Sequence, residues 1–294
     1  MSIILRFKCY TTLQVPANHN KSTLSVSLVH YDTANEGLIA VIESLLSALE
    51  GCASILNGRT IIAIVDNEER QSLELRLFSE LQERLKTNNC ELQLIQGQGN
   101  VGYGKGHNLA LAKMKSDYVL LMNPDVNLDK NSLTEGLRYM EGHDEVAAVC
   151  PSAVFPDGIK QYLCKRYPSV FDFLLRSFMP ISITRYFADR LAAYEMRELS
   201  EEKATQDIPI ISGCFMLCRR DALHQVGGFN EDYFLYFEDF DLCMRLRQQY
   251  KLAYLPEMKI VHHGGHTAKK GLLHIGMFVR SSIRFFSTHG WRWY

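Results

Sequence analysis

The chain has 294 residues, 47% of them hydrophobic, and a formal net charge of −1. That length can bury a large core, as one big α/β domain or as two halves, while the near-zero charge gives no global electrostatic case for nucleic-acid binding. No apolar run approaches the roughly 18 residues of a membrane span, and charge enters Met1-Ser-Ile-Ile-Leu-Arg-Phe-Lys8 too early for a signal peptide, so the expected location is cytoplasmic. Residues 1–23 show no clear period and form an N-terminal extension. From residue 24 the pattern alternates. Residues 24–30 read as a strand, 35–50 as an amphipathic helix, 60–65 as an apolar strand, 68–87 as a charged helix and 91–95 as a third strand. A glycine-rich loop follows, then a helix over 106–115 and a strand over 118–122. Strands alternating with helices predict a mostly parallel sheet covered on both faces, and the continuous apolar strands fit such burial.

The second half is less regular. A helix is expected over 131–142, a strand over 147–151, a helical insertion with a mobile loop over 160–207, one strand over 208–218, a helix over 221–226 and a strand over 252–260. Of the eight cysteines none forms Cys-x-x-Cys; Cys214 and Cys218 lie in an apolar stretch and read as core filling, not zinc ligands.

Polar signals stand where the strands end, and ligands bind there in a parallel α/β sheet. Asp66-Asn67 follows the second strand; Asp66 suits a base N–H or ribose hydroxyl, or a helix N-cap. After the third strand comes Gly97-Gln-Gly-Asn-Val-Gly-Tyr-Gly-Lys-Gly-His-Asn108. Its glycines match G-x-G-x-x-G after the wrong strand, and Gly106 stands where a P-loop needs Ser or Thr. What remains is either a plain turn or a backbone that approaches an anion with Lys105 nearby. Asp125, in Asn123-Pro-Asp125, suits a magnesium ion that takes its other ligands from phosphate and water, or an Asx turn. His262-His-Gly-Gly-His266 follows the last strand and suits a ligand or a structural role.

The most informative stretch is Phe229–Leu246, where Glu238, Asp239 and Asp241 follow a run of aromatics. Carboxylates among aromatics are costly unless paired or used. Asp239 precedes Leu242, Cys243 and Leu246 by three, four and seven residues, which places it on the apolar stripe of a helix. An inward carboxylate at a helix start is a candidate general base. The macrodipole also favours acids there, and Asp241 is spaced for a surface pair with Arg245.

In this order the motifs resemble the family 2 glycosyltransferases with a GT-A fold, nearest their rhamnosyltransferase-like branch in bacterial lipopolysaccharide, O-antigen and cell-surface glycan synthesis. The matching pieces are Val26–31, Ile64-Val-Asp-Asn67, 100–108, Leu121-Met-Asn-Pro-Asp125, 211–217, 226–231, 236–242, Pro256 and 262–267. The resemblance implies a GT-A fold, a mostly parallel central sheet flanked by helices, with a helical insertion and a C-terminal helical tail. It implies a nucleotide-sugar-binding half over 24–126, an acceptor-binding and catalytic half over 127–267, and an amphipathic tail over 268–294. A dTDP- or UDP-sugar donor would meet His30, Tyr31, Asp66, Asn100, Gly102, Lys105, Gly106, Asn108, Asn123 and Asp125. Mg2+ or Mn2+ would be held by Asp125 and His262, Asp239 would be the base with Glu238 as its neighbour, and Gly213 and Arg166 would face the acceptor. The implied reaction is inverting transfer, with L-rhamnose from dTDP-L-rhamnose the best guess, onto a hydroxyl of a glycolipid or polysaccharide, with no nucleic-acid partner.

The sequence departs from the family pattern in places: Asn67-Glu-Glu-Arg70 replaces the usual acid–serine ending, one carboxylate remains in the metal motif, and Asn230 replaces an aspartate. The basic, aromatic stretch 160–190 and the cationic, aromatic tail 277–294 read as surfaces for a lipid-linked acceptor and for peripheral contact at the inner face of the membrane, or as core with a solvated face. The rival readings are a nucleotidyltransferase that makes a sugar nucleotide and a non-catalytic sugar-nucleotide-binding protein.

Overall fold

The computed structural model describes residues 22–32, 34–69, 73–264 and 272–294, without the side chains of residues 177, 178 and 272. The readings made for residues 1–21, and for His266 and Thr267, lie outside them. The strands are β1 (Leu24–His30), β2 (Thr60–Asp66), β3 (Cys90–Ile95), β4 (Tyr118–Met122), β5 (Val126–Leu128) and β6 (Val146–Val154), the two-residue β7 (Lys160–Gln161), β8 (Cys164–Lys165), β9 (Thr205–Gln206) and β10 (Ile210–Ile211), then β11 (Phe215–Arg219) and β12 (Lys251–His262). The helices are α1 (Asn35–Glu50), α2 (Gln82–Thr87), α3 (Tyr103–Leu111), α4 (Ser132–Glu141), α5 (Val170–Phe178), α6 (Ile181–Tyr186), α7 (Ala188–Tyr194), α8 (Arg220–Gln225), α9 (Glu238–Leu246) and α10 (Leu272–His289).

One sheet runs β3-β2-β1-β4-β11-β6-β12-β5. Its first four strands are parallel. β11 runs antiparallel between β4 and β6, and β12 is parallel to β6 and antiparallel to β5. The largely hydrophobic strands are the reason for this arrangement: every residue of β1 and β4 is buried, which requires helices on both faces. Both halves of the chain share this sheet, and residue 126 opens β5, the strand after the Asn123-Pro-Asp125 turn.

Three departures from the sequence reading have local causes. The expected helix over 68–87 shortens to a 3-10 turn over Leu75–Leu81 and then α2; the Asp66 carboxylate accepts from the Glu68 and Leu73 N–H groups, which ties both positions to the end of β2. The expected helix over 106–115 starts earlier, at Tyr103, after Gly102 turns the chain with φ 89°. The expected strand over 208–218 is two strands. β10 pairs with β8 outside the main sheet, β11 enters the main sheet, and the turn Ser212-Gly213-Cys214 lies between them.

The insertion is also tighter than expected from its polarity. Glu195 pairs with Lys165, Arg176 and Arg197, Glu198 with Arg166, and Glu201 with Lys160. The acidic stretch thus folds back onto the basic one. In the tail, Phe285 and Phe286 join Tyr233 and Phe237 in a second apolar cluster, while Ile275, Val279 and Ile283 stay exposed. One face of α10 is therefore core and the other is surface.

Candidate active site

The site lies at the carboxyl ends of β1, β2 and β4 and at the 212–214 turn. At its β1–β2 end, His30 Nδ1 is 3.2 Å from Asp66 Oδ1, and both side chains are buried. Asp66 Oδ2 accepts from Gln96 Nε2 at 2.9 Å. Burial would raise this carboxyl, but Gln96, the Glu68 N–H, His30 and the Leu73 N–H outweigh it and hold the group below its ordinary value. Tyr31 stands at the lip, 53% exposed. Gln98 Nε2 donates to Asp66 O, and Asn67 Nδ2 to Gly102 O, so the glycine loop is tied to the end of β2. Gln96 and Gln98 carry no signal in the sequence beyond their place after a strand.

The glycine loop is built into the fold by its own contacts. Asn100 Oδ1 accepts from the Gly102 N–H, and the Tyr103 N–H donates to Phe234 O. A Cβ on Gly102 would lie 2.3 Å from Phe234 O, so glycine is needed there for close approach. Gly106 packs on Val29, where a Cβ would meet a methyl at 3.0 Å. Asn108 both donates to Phe229 O and accepts from the Phe229 N–H, and Lys105 pairs with Glu231 at 3.3 Å. These four positions hold α3 against β1 and the 228–234 segment.

The Asn123-Pro-Asp125 turn joins β4 to β5. The Asn123 N–H donates to Cys214 O at 2.9 Å. Asp125 Oδ1 is buried without a hydrogen-bond partner, and His262 Nε2 lies 3.5 Å from it. Gln161 holds His262 twice: its Oε1 is 2.8 Å from His262 Nδ1, and its Nε2 donates to His262 O. A Cβ on Gly264 would sit 2.5 Å from His262 Nε2 and 3.0 Å from Asp125 Oδ2. The bare glycine leaves that space to a ligand. A partnerless carboxylate oxygen, an imidazole fixed through its other nitrogen and an open cradle fit a divalent cation. Among the described residues no third His, Cys, Asp or Glu joins them, which suits a metal completed by phosphates and water. His263 instead reaches Asn127, at 3.3 Å.

Asp239 is in the first turn of α9, half-buried. Its Oδ2 accepts from the Gly213 N–H at 2.8 Å and its Oδ1 from the Phe240 N–H at 2.9 Å. Burial nevertheless raises the carboxyl above its ordinary range against those N–H groups. Glu238 is buried with Oε2 unpartnered; burial first, and then the Asp239 charge, hold it far above the usual carboxylate range. Two adjacent carboxyls cannot both ionise cheaply. The donors go to Asp239, so Asp239 carries the charge and Glu238 the proton. Asp241 is not a surface pair as expected: it is 1% exposed and accepts from Arg245 Nε and His289 Nε2, each at 2.8 Å. It locks α10 to α9. Tyr236 and Phe237, just before the helix, have φ of 71° and 64°. Left-handed backbone costs roughly 1–3 kcal/mol at each non-glycine residue; the aromatic packing of Phe237 against Phe173, Phe278 and Phe285 holds it.

Gly213 connects these parts. Tyr103 Oη donates to Gly213 O at 2.6 Å, while the Gly213 N–H donates to Asp239. Burial first, then the neighbouring Cys214 and the carboxylates of Asp239 and Asp125, raise the Tyr103 phenol well above its ordinary value; it stays a donor. His107, buried and held neutral by burial with a pKa of about 3, packs edge-on against Tyr103 at 4.5 Å. Tyr103→Phe is expected to lower turnover about tenfold, the worth of one good hydrogen bond, without changing donor affinity. In an Asp239→Asn background it should cost nothing further in steady-state turnover, since Tyr103 acts through Asp239. Arg166, expected to face the acceptor, donates to Glu198 and to Ala193 O.

The pattern described as glycosyltransferase like family 2 matches residues 38–273. The chain belongs to the family 2 glycosyltransferases. Among curated relatives, the N-acetylglucosaminyl-diphospho-decaprenol L-rhamnosyltransferase of Mycobacterium tuberculosis is 28% identical over 215 residues, 68% of this chain and 69% of its own. Rhamnosyltransferase WbbL of Escherichia coli K12 is 29% identical over 188 residues, 60% of this chain and 65% of its own. Among solved structures, GalNAc-T7 with UDP, GalNAc and Mn2+ aligns with a TM-score of 0.61 at 14% identity, over 92% of this chain and 48% of that one. The Pyrobaculum calidifontis mannosyltransferase with GDP-Man and Mn2+ aligns at 0.54 and 16% identity, over 90% of this chain and 65% of that one. This glycosyltransferase thus spans about half the length of GalNAc-T7. The structural likeness establishes the GT-A fold, with the mixed, mostly parallel sheet described above. Among the described residues no helix is long and apolar enough to cross a membrane.

Proposed function

We propose that this family 2 enzyme transfers a sugar from a nucleotide-diphospho-sugar, with dTDP-L-rhamnose the first choice, to a hydroxyl of a glycolipid or polysaccharide acceptor in cell-surface glycan synthesis, with inversion. The observation that carries it is the 212–214 turn. Its Gly213 N–H holds the base Asp239, and its Cys214 carbonyl holds the turn that carries Asp125. A base and the carboxylate of the cation-binding pair are thereby mounted on one short segment. The choice of rhamnose follows the two rhamnosyltransferase relatives, and the choice of a divalent cation follows the Mn2+ in the two transferase structures.

In this reading Asp125 and His262 hold Mg2+ or Mn2+, which when bound neutralises charge developing on the leaving diphosphate. The chain supplies the rest. The β1–β2 end, with His30, Tyr31 and the Asp66 network, receives the nucleoside. Asp239 Oδ accepts the proton of the acceptor hydroxyl as its oxygen bonds to the anomeric carbon and the bond to the diphosphate oxygen breaks. Glu238, already protonated, does not compete for that proton. Donor and acceptor halves follow the division near residue 126, and the enzyme works at the cytoplasmic membrane face.

The test is product analysis with a panel of dTDP-, UDP- and GDP-sugars, Mg2+ or Mn2+, and a polyprenyl-diphosphate-linked N-acetylglucosamine acceptor. Acceptor-dependent release of dTDP with a new glycosidic bond is expected. Release of pyrophosphate would mark a nucleotidyltransferase, and donor binding without turnover a sugar-nucleotide-binding protein; either outcome would overturn the proposal.

A further inference from the structure

The tail and the insertion, far apart in sequence, meet on one surface. The Val170 N–H donates to Arg292 O at 2.8 Å and the Phe171 N–H to Trp293 O at 3.2 Å, so the last residues lie along the start of α5. Their rings continue one another. Tyr294 packs on Phe171 at 5.3 Å, Phe171 on Phe187 at 5.2 Å and Phe187 on Tyr186 at 5.1 Å; Trp293 stacks on Trp291 at 5.1 Å. This belt faces solvent: Tyr186 is 84% exposed, Tyr294 71%, Ile181 69% and Trp293 67%. Guanidinium groups accompany the rings. Arg185 is exposed beside Tyr186, exposed Arg292 reaches Tyr294 O through its Nε, and Arg190, 4.0 Å over Tyr294, holds that ring in place while pairing with Asp172. Burying such rings in the protein's own core would have been possible only by closing the face, and nothing in the chain covers it among the described residues.

We infer that this composite belt docks the enzyme on an anionic lipid surface, with the Trp and Tyr rings at headgroup depth and the arginines toward the phosphates. Tryptophan and tyrosine, apolar in body with a polar edge, concentrate at that depth, and arginine adds attraction to anionic lipid. The choice of lipid over a protein partner rests on the proposed lipid-linked acceptor; the belt itself does not. The cations of the insertion that pair with Glu195, Glu198 and Glu201, and Arg190, which pairs with buried Asp172, are spent within the fold, so it is the rings with Arg185 and Arg292 that meet the membrane.

Both tryptophans of the chain, Trp291 and Trp293, lie in the belt, so native fluorescence reports on it without a label. The full chain is mixed with phosphatidylglycerol–phosphatidylcholine vesicles whose acyl chains carry bromine near the glycerol, free of donor and acceptor. Co-flotation and quenching of the tryptophan emission are expected, weaker with phosphatidylcholine alone. The variant Tyr186→Ala/Trp291→Ala/Trp293→Ala should weaken flotation by about tenfold or more while transfer to a short, water-soluble acceptor is unchanged. Absence of both flotation and quenching overturns the inference, as does self-association that the same substitutions abolish in the absence of lipid binding. If the vesicles bind the protein but no sugar is transferred, the functional proposal fails and the lipid surface stands.

Discussion

Asp239→Asn is expected to lower turnover by roughly 10²–10⁴-fold, the usual worth of general-base help, with donor affinity by calorimetry unchanged. Glu238→Gln, one residue away, should keep most of its turnover. The amide reproduces the neutral form that burial imposes on Glu238, whereas at Asp239 it deletes the charged form that the Gly213 and Phe240 N–H groups hold. Near-normal turnover of Asp239→Asn, or collapse of Glu238→Gln with the fold intact, would reverse the assignment. The pH profile follows from the same shift. Asp239 must be unprotonated to accept a proton, and its carboxyl is raised; activity should therefore fall, as pH is lowered, at a pH above the ordinary aspartate value of about 3.9. Stability should show the opposite sign for Glu238. Its folded pKa exceeds the unfolded one of about 4.3, so between these values the native state binds more protons and stability falls as pH rises. Glu238→Gln removes that cost and should raise the melting temperature more at pH 8 than at pH 5.

The second large effect belongs to the cation pair. Asp125→Ala should abolish the dependence of donor binding on Mg2+ or Mn2+, so that EDTA lowers donor affinity in the wild type and does nothing further in the variant. Gln161→Leu is the sharper case, because Gln161 would touch neither donor nor metal. It fixes His262 through Nδ1 and through the main-chain carbonyl, and loss of such an outer partner typically costs 10–100-fold in metal affinity. Titration of Mn2+ by electron paramagnetic resonance should show that weakening with the fold unchanged by circular dichroism. Unaltered Mn2+ affinity in both variants would remove the pair from the metal site.

Much of this was legible in the residues. The largely apolar strands at 24–30, 60–66 and 118–122 announce a sheet buried on both faces, and the acids after the aromatic run mark the start of α9. Long-range pairing was less visible. Asp241 looks like half of a surface pair until His289, 48 residues away, closes on it. The insertion's charges look solvated because the opposite charge that folds back lies some thirty residues on, as with Arg166 and Glu198. The break at 212–214 was hidden because an apolar run does not say where a strand leaves one sheet for another; the glycine within it was the available signal. Gln161 gave none, since an isolated glutamine acquires its role only when β7, paired with β6, brings its side chain to His262 at the end of β12. The glycines of the loop have a packing role that composition does not reveal: they lie close against Phe234, Phe229 and Val29, and packing and anion binding call for the same residue.

A single displacement assisted by Asp239 has one stereochemical outcome. Proton NMR of the first product, with the anomeric configuration compared with that of the donor sugar, measures it. The base assignment predicts inversion with no glycosyl-enzyme intermediate; a product of retained configuration would contradict it.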